Sequence, residues 1–206
     1  MTVLIGDVHG KYRQYKRIIK HCRGSIQVGD MGVGFFRTSG QPHINPPYDA
    51  MVAGDHRFIR GNHDNPDVCS QHSQWIPDGN IESGVMFIGG AVSVDRQYRT
   101  EGYDWWADEE LNAEELDHLV EVYTEARPRL MVTHDCPEEI ARNLCALSGR
   151  QKLDFPSRSR QAFQRMWSAH SPEMWVFGHW HYSFDQIANG TRFVCLAELE
   201  ARVFDL

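Results

Sequence analysis

Thr2-Val3-Leu4-Ile5-Gly6-Asp7-Val8-His9-Gly10 opens the chain with a short apolar, β-branched run that stops at a glycine and leads at once into an Asp and a His. Such a run reads as a buried strand feeding a loop. Four later segments repeat the pattern. Residues 25–28 end at Gly29-Asp30, and residues 56–60 at Gly61-Asn62-His63-Asp64. Residues 129–133 end at His134-Asp135, and residues 174–177 at Gly178-His179-Trp180-His181. Polar groups thus collect just past the C-terminal ends of predicted strands, where ligands bind in open α/β sheets.

The segments between these strands carry a different period. Tyr12, Tyr15, Ile18 and Ile19 recur at helical spacing and predict a helix over 11–22. Leu111, Leu116, Leu119, Val120 and Tyr123 predict another over 108–127, with acidic residues at the end where the helix dipole favours them. Pro137 suits the first position of a helix over 138–146, and residues 155–170 also read as helical. Residues 85–88 and 91–94 read as consecutive strands around Gly89-Gly90. Asn189-Gly190 is a strong hairpin turn and joins strands predicted at 184–187 and 192–196. A last edge strand is predicted at 202–204. Residues 37–48 hold Gly40, Pro42, Pro46 and Pro47 and read as a loop. Periodicity alone supports an α/β class, and 206 residues suit one domain over 1–206.

Composition narrows the functional classes. A hydrophobic content of 41% and a charged content of 24% are ordinary for a globular protein. No apolar run approaches the roughly 20 residues of a membrane span, and the N-terminus lacks the features of a signal peptide. The five cysteines form no CxxC pair, which leads us to expect a reducing, cytoplasmic location. With a net charge of -7 and no Lys/Arg run, stable nucleic-acid binding is not expected.

The motifs together supply two Asp, one Asn and four His. That is about the set needed to hold two divalent metals side by side, an arrangement that activates water and clamps phosphate in many hydrolases. Hard oxygens mixed with imidazoles suit Mn, Fe, Zn or Co better than Ca or an all-oxygen Mg site. One His at a strand end is ordinarily a satisfied polar residue, but that reading does not account for seven such positions together. It does suffice for His21, His43, His56, His72, His118 and His170, which lie outside the motifs.

The ordered set GDVHG, GD, GNHD, a lone His after a strand, and GHWH resembles the calcineurin-like metallophosphoesterase superfamily, over nearly the whole chain from Asp7 to His181. The resemblance implies a four-layer α/β/β/α sandwich of two mixed β-sheets, with a dimetal site at strand C-terminal ends. It implies that Asp7, His9 and His181 hold one metal, that Asn62, His134 and His179 hold the other, and that Asp30 bridges them. His63 resembles the general acid that protonates the leaving-group oxygen, with Asp64 as a catalytic partner positioning it. The implied nucleophile is a metal-bound hydroxide. The implied cofactors are two divalent ions, Mn2+ first, with Fe, Zn, Co or Ni as alternatives. The expected substrate is a phosphorylated small molecule or a phosphoprotein, cleaved as a phosphomonoester. Nucleotide phosphodiester or dinucleoside polyphosphate hydrolysis is the alternative. A non-catalytic scaffold of the same fold is opposed by the presence of His63 with all seven ligands.

One departure matters. The GDVHG opening resembles the Ser/Thr protein phosphatase and diadenosine tetraphosphate hydrolase branch, whose protein phosphatases continue their second motif as GDxVDRG. Here Val33 and Gly34 stand in place of its second Asp and its phosphate-gripping Arg. Any phosphate clamp must come from elsewhere. Residues 93–106 combine Arg96 and Arg99 with Tyr98, Tyr103, Trp105 and Trp106. Either Arg is expected to grip substrate phosphate through its fork, with the Trp pair walling the cleft. The competing reading packs the Trp residues between loops and pairs the Arg residues with acidic neighbours. Arg37 is a weaker candidate.

Overall fold

Strand alternation builds the layers. The computed structural model describes residues 1–35, 45–148 and 155–206. The strands are β1 (Thr2–Ile5), β2 (Ser25–Gln27), β3 (His56–Phe58), β4 (Ile81–Glu82), β5 (Val85–Ile88), β6 (Leu130–Thr133), β7 (Met174–Phe177), β8 (Phe184–Ala188), β9 (Thr191–Cys195) and β10 (Ala201–Phe204). The helices are α1 (Tyr12–Ile19), α2 (Tyr48–Gly54), α3 (Pro66–Cys69), α4 (Ala113–Ala126), α5 (Glu138–Ser148) and α6 (Arg158–Ala169). One sheet has the order β10-β1-β2-β3, and the other β4-β5-β6-β7-β9-β8. Both are mixed. β1, β2 and β3 run parallel, with β10 antiparallel on one edge. β5, β6, β7 and β9 run parallel between the antiparallel edges β4 and β8.

Successive side chains in a strand point to opposite faces, and here both faces of each sheet are covered. Leu4 and Ile26 of the small sheet meet Phe87, Val132, Val176 and Val194 of the large one in the inter-sheet core. Their neighbours Met86, Met131, Trp175 and Phe193 face outward onto Leu119 and Tyr123 of α4, Ile140 and Leu144 of α5, and Phe163 and Met166 of α6. On the far side, Ile5 and Phe58 pack against Tyr12, Tyr15 and Ile19 of α1 and Met51 of α2. The result is the α/β/β/α sandwich the resemblance implied. Strands covered on both sides read as near-continuous apolar runs, which is why β1, β5, β6 and β7 are legible from sequence.

Several expectations need correction. The helix predicted from residue 108 begins at Ala113, where Asn112 and Glu115 form a reciprocal capping box. Glu109 and Glu110 are buried before it, bonded to other loops. Residues 91–94 form no strand; Ala91, Val92 and Ser93 are buried beside the loops that follow β3. Helices α2 and α3 were not anticipated, although Asn65 caps α3 and Pro66 opens it. Of the predicted 37–48 loop, residues 37–44, with Arg37 and His43, lie outside the described residues. The hairpin stands as expected, with Asn189 at φ 47° and Gly190 at φ 81°, as a type I′ turn requires. Among the described residues no helix is long and apolar enough to cross a membrane.

Candidate metal centre

The loops leaving β1, β2, β3, β6 and β7 converge at one end of the sandwich and bring together all seven predicted ligands. Ligand atoms of Asp7, His9, Asp30 and His181 lie within 4.8 Å of one another, and so do those of Asp30, His134 and His179. Asp30 belongs to both groups. Asn62 Oδ1 joins the second, 3.1 Å from His134 Nε2 and 3.0 Å from His179 Nδ1. In the first group, His9 Nε2 and His181 Nε2 are 2.8 Å apart, and His181 Nε2 lies 2.9 Å from Asp7 Oδ2.

The backbone is bent to achieve this. His9, Asp30, His179 and His181 sit at φ 46°, 60°, 65° and 49°, in the left-handed region that non-glycine residues seldom occupy. Each such residue costs on the order of 1–3 kcal/mol and persists only where its surroundings hold it. The holding bonds are present. Asp30 O accepts from Val8 N at 3.0 Å and His9 N at 2.8 Å, and both Asp7 carboxylate oxygens accept from His179 N at 3.1 Å. Four of the nine non-glycine residues at positive φ among the described residues are thus ligand-type residues of this cluster.

Two motif glycines matter for a different reason, close approach. A methyl group at Gly61 would run into the Asp30 carboxylate and amide, and one at Gly178 into the Asp7 carboxylate. Gly61→Ala should therefore displace Asp30, cost about 1–3 kcal/mol as an overpacked core does, and weaken metal uptake. Thermal melts of the variant with and without Mn2+ test this. A wild-type Tm with a wild-type metal-induced shift would contradict the packing argument.

Outer contacts orient the inner ones. His134 Nδ1 lies 2.8 Å from Val28 O. Since a carbonyl only accepts, Nδ1 carries the hydrogen, as is usual for ligating histidines. Asp64 is fully buried and accepts from Met31 N, Gly32 N, Val33 N and Gly61 N at 3.1, 2.6, 2.8 and 2.7 Å. These four bonds clamp the loop after β2 to the loop after β3. Asp64 was expected to position His63; its hydrogen bonds are to backbone amides, that of Gly61, two residues before His63, among them. Ser93 and Glu109 were not singled out from sequence. Asn62 Nδ2 donates to Ser93 Oγ at 3.0 Å, and Ser93 Oγ donates to Glu109 Oε2 at 2.5 Å. The one sequence signal was the acidic run 108–110, read as a helix start.

His63 stands on the wall of the centre. Its ring stacks on Phe35 at 5.3 Å and meets His9 edge-on at 4.8 Å. Arg99 Nη2 lies 2.9 Å from His63 Nε2. Asp95 holds that guanidinium through two bonds of 2.8 and 2.7 Å, and its Cζ lies over the Phe35 ring, 5.2 Å from the centroid. Arg96 is exposed and sits over Phe155 at 5.4 Å, so the structure brings Arg99 but not Arg96 to the cluster. Trp106 is buried with its ring against Phe35; it packs between loops. Asp30, Asn62, His63, Val94, Asp95, His179 and His181 line a cleft of about 200 Å³.

The electrostatics fit bound cations. Burial alone would raise the Asp7 carboxyl, but hydrogen bonds from His181 and His9 outweigh it and hold the group well below the carboxylate range. Burial would likewise raise Asp30, and His134, His63 and His9 overcome it. Burial would lower the His134 imidazole, yet Asp30 beside it raises it to about 10. A proton on His134 thus offsets anionic charge that a metal would take over, displacing the proton on binding. His63 goes the other way: burial, against the pull of Asp30 and reinforced by Arg99, lowers it to about 4. Two anions, four imidazoles and an amide oxygen around two adjoining positions could hold a pair of metal ions.

The family model described as calcineurin-like phosphoesterase matches residues 2–183. Among curated proteins, none matches the chain. Among solved structures, the phosphopantetheinyl hydrolase of Mycobacterium tuberculosis is similar at 13% identity and a TM-score of 0.47, covering 96% of this chain and 89% of that one. GAP50, the anchor in the inner membrane complex of Plasmodium, is similar at 10% identity and a TM-score of 0.42, covering 95% and 70%.

Proposed function

The chain belongs to the calcineurin-like phosphoesterase family, a metal-dependent class of hydrolases acting on phosphorylated substrates, and from this we propose that it cleaves a phosphomonoester with His63 as the general acid. The observation that carries the reading is the pair of ligand groups sharing Asp30, with His63 on the wall of the same cleft. Asp7, His9 and His181 would hold one metal, Asn62, His134 and His179 the other, and Asp30 both. When bound, the two cations lower the pKa of water and neutralise charge on the phosphoryl group. Mn2+ suits the mixed oxygen and imidazole set, with Fe, Zn, Co and Ni as competitors.

His63 and Arg99 would work in sequence. Arginine only donates, so His63 Nε2 accepts from Arg99 and carries no proton there. A phosphate oxygen in the cleft offers the guanidinium a stronger, charge-assisted acceptor. Once Arg99 turns to it, His63 Nε2 is free to take up a proton from solvent or from a protonated phosphate oxygen of the substrate, the anionic phosphate offsetting the burial that otherwise lowers this imidazole, and to face the leaving group with it, with Asp95 lining the cleft beside it. Arg96, exposed, is kept for substrate lying outside the cleft. Asp64 is a positioning residue for the two loops it ties.

A cleft of about 200 Å³ is large enough for a phosphoryl group. A phosphorylated small molecule is favoured over a phosphoprotein, since Val33 and Gly34 stand where the protein phosphatase motif has its Asp and Arg. The described cysteines are all free thiols, which suits a reducing, cytoplasmic setting. A second reading rests on Tyr98, 84% exposed in the segment that carries Arg99. An exposed ring there is a platform for a nucleobase and would suit a dinucleoside polyphosphate.

The test is a matched panel after chelation and Mn2+ reconstitution: p-nitrophenyl phosphate, bis-p-nitrophenyl phosphate, a phosphoserine peptide and a dinucleoside polyphosphate. Monoester turnover should dominate. Preference for the diester or polyphosphate would move the substrate to the nucleotide class. Silence across the panel with two Mn2+ bound would replace hydrolysis by a scaffold role.

A further inference from the structure

An amide side chain has two ends of nearly the same shape and opposite chemistry. At Asn62 the oxygen end can ligate a cation and the nitrogen end repels one. Oδ1 faces His134 and His179, and Nδ2 faces Ser93 Oγ. In the metal-free protein the protonated His134 offers Nε2–H to Oδ1; a bound cation displaces that proton, and the other end of the amide then has to hold the orientation. The control on that end lies two hydrogen bonds away.

We infer that Glu109, acting through Ser93, sets which end of the Asn62 amide faces the second metal position, and so is a positioning residue for that metal. The inference rests on the two-metal reading. The logic is directional. Glu109 Oε1 accepts from Ser93 N at 2.8 Å, and Oε2 lies 2.5 Å from Ser93 Oγ. Burial raises the Glu109 carboxyl, but the bonds from Ser93 N and Oγ favour its ionised form, which only accepts, so the single hydroxyl hydrogen of Ser93 goes to Glu109. Ser93 Oγ is left with lone pairs toward Asn62 and takes a hydrogen from Nδ2. Oδ1 is then turned to the metal. Asn62, Ser93 and Glu109 are 2%, 1% and 3% exposed, which leaves little access for solvent to supply a substitute donor. The connection after β3 and the connection between β5 and α4 are thereby locked into one polarity.

Glu109→Gln keeps the shape and reverses the message. Ser93 N–H still needs an acceptor, so the new carbonyl oxygen takes the Oε1 place and the NH2 group faces Ser93 Oγ. The hydroxyl hydrogen must now find another acceptor. It finds one only if Asn62 turns Oδ1 away from the metal; otherwise it stays buried and unpaired. Either outcome weakens the second position, on the order of 10–100-fold as for other outer partners of metal ligands, while the first position keeps its affinity. Ser93→Ala removes the messenger and frees the amide, for a smaller loss of roughly 10-fold. The double variant Glu109→Gln, Ser93→Ala should recover to the level of Ser93→Ala alone, because no hydroxyl remains to enforce the wrong orientation. A merely structural Glu109 predicts a double variant worse than either single one.

The experiment is calorimetric titration of the metal-free proteins with Mn2+, with bound metal counted per chain and thermal melts to check folding. Two sites of wild-type affinity in Glu109→Gln, or in Ser93→Ala should the first variant not fold, would overturn the inference. So would a double variant weaker than Glu109→Gln. Fewer than two Mn2+ on the wild-type protein would overturn the two-metal reading and this inference with it; failure confined to the variants overturns this inference alone.

Discussion

Asp30→Asn should abolish phosphoester hydrolysis and strip metal from both positions. One carboxylate oxygen of Asp30 lies 3.3 Å from His134 Nε2 and the other 3.5 Å from His9 Nε2, so the group serves both ligand sets at once. The substitution preserves shape, which keeps the close packing against Gly61. It removes the shared negative charge and turns an NH2 group toward one set. Turnover should fall by more than the roughly 10²–10³-fold seen when a single oxyanion-hole donor is lost, because both cations weaken together. Measuring kcat/KM on p-nitrophenyl phosphate alongside bound Mn2+ per chain decides the matter. Turnover near wild type, or two ions held at wild-type affinity, would remove Asp30 from the bridging role.

His63→Ala should keep both metals and lose activity in a way that depends on the leaving group. The His63 side chain belongs to neither ligand group. Its backbone N–H donates to Asp30 Oδ1 at 2.7 Å, and alanine keeps that bond. What disappears is the imidazole between Phe35, His9 and Arg99. General acid catalysis contributes about 10²–10⁴-fold, so an alkyl phosphate, whose leaving oxygen needs a proton, should slow by that order. p-Nitrophenyl phosphate, whose phenolate leaves readily, should slow far less. Equal losses on the two substrates would show that His63 acts only through structure.

How much of this could be read along the chain differs by residue. Strands β1, β5, β6 and β7 are apolar without interruption because both of their faces are covered, and that signal is local. The glycines beside Asp30, Asn62 and His179 are local signals too, since a side chain at Gly61 or Gly178 would occupy space held by a ligand from another motif. The start of α4 was misplaced because Glu109 and Glu110 look like ordinary acidic residues at a helix N-terminus. In three dimensions they are buried anchors for Ser93 and for the first turn of α6. Helix α2 carries one fully buried apolar residue, Met51, too little to make a periodic pattern.

Local sequence encodes the inventory: five strand-to-loop junctions in order, seven ligand-type residues, His63 beside them as the expected acid, and a hairpin at Asn189-Gly190. Each is encoded in a run of a few adjacent residues, where strand period, turn geometry and side-chain chemistry are set by near neighbours. Only the tertiary structure decided the partners: Arg99 on His63, Asp64 on the backbone of 31–33, and Glu109 behind Ser93 and Asn62. His9 and His181 meet across a separation of 172 residues. Contacts of that kind depend on the register and stacking of two sheets, which no local stretch of the chain specifies.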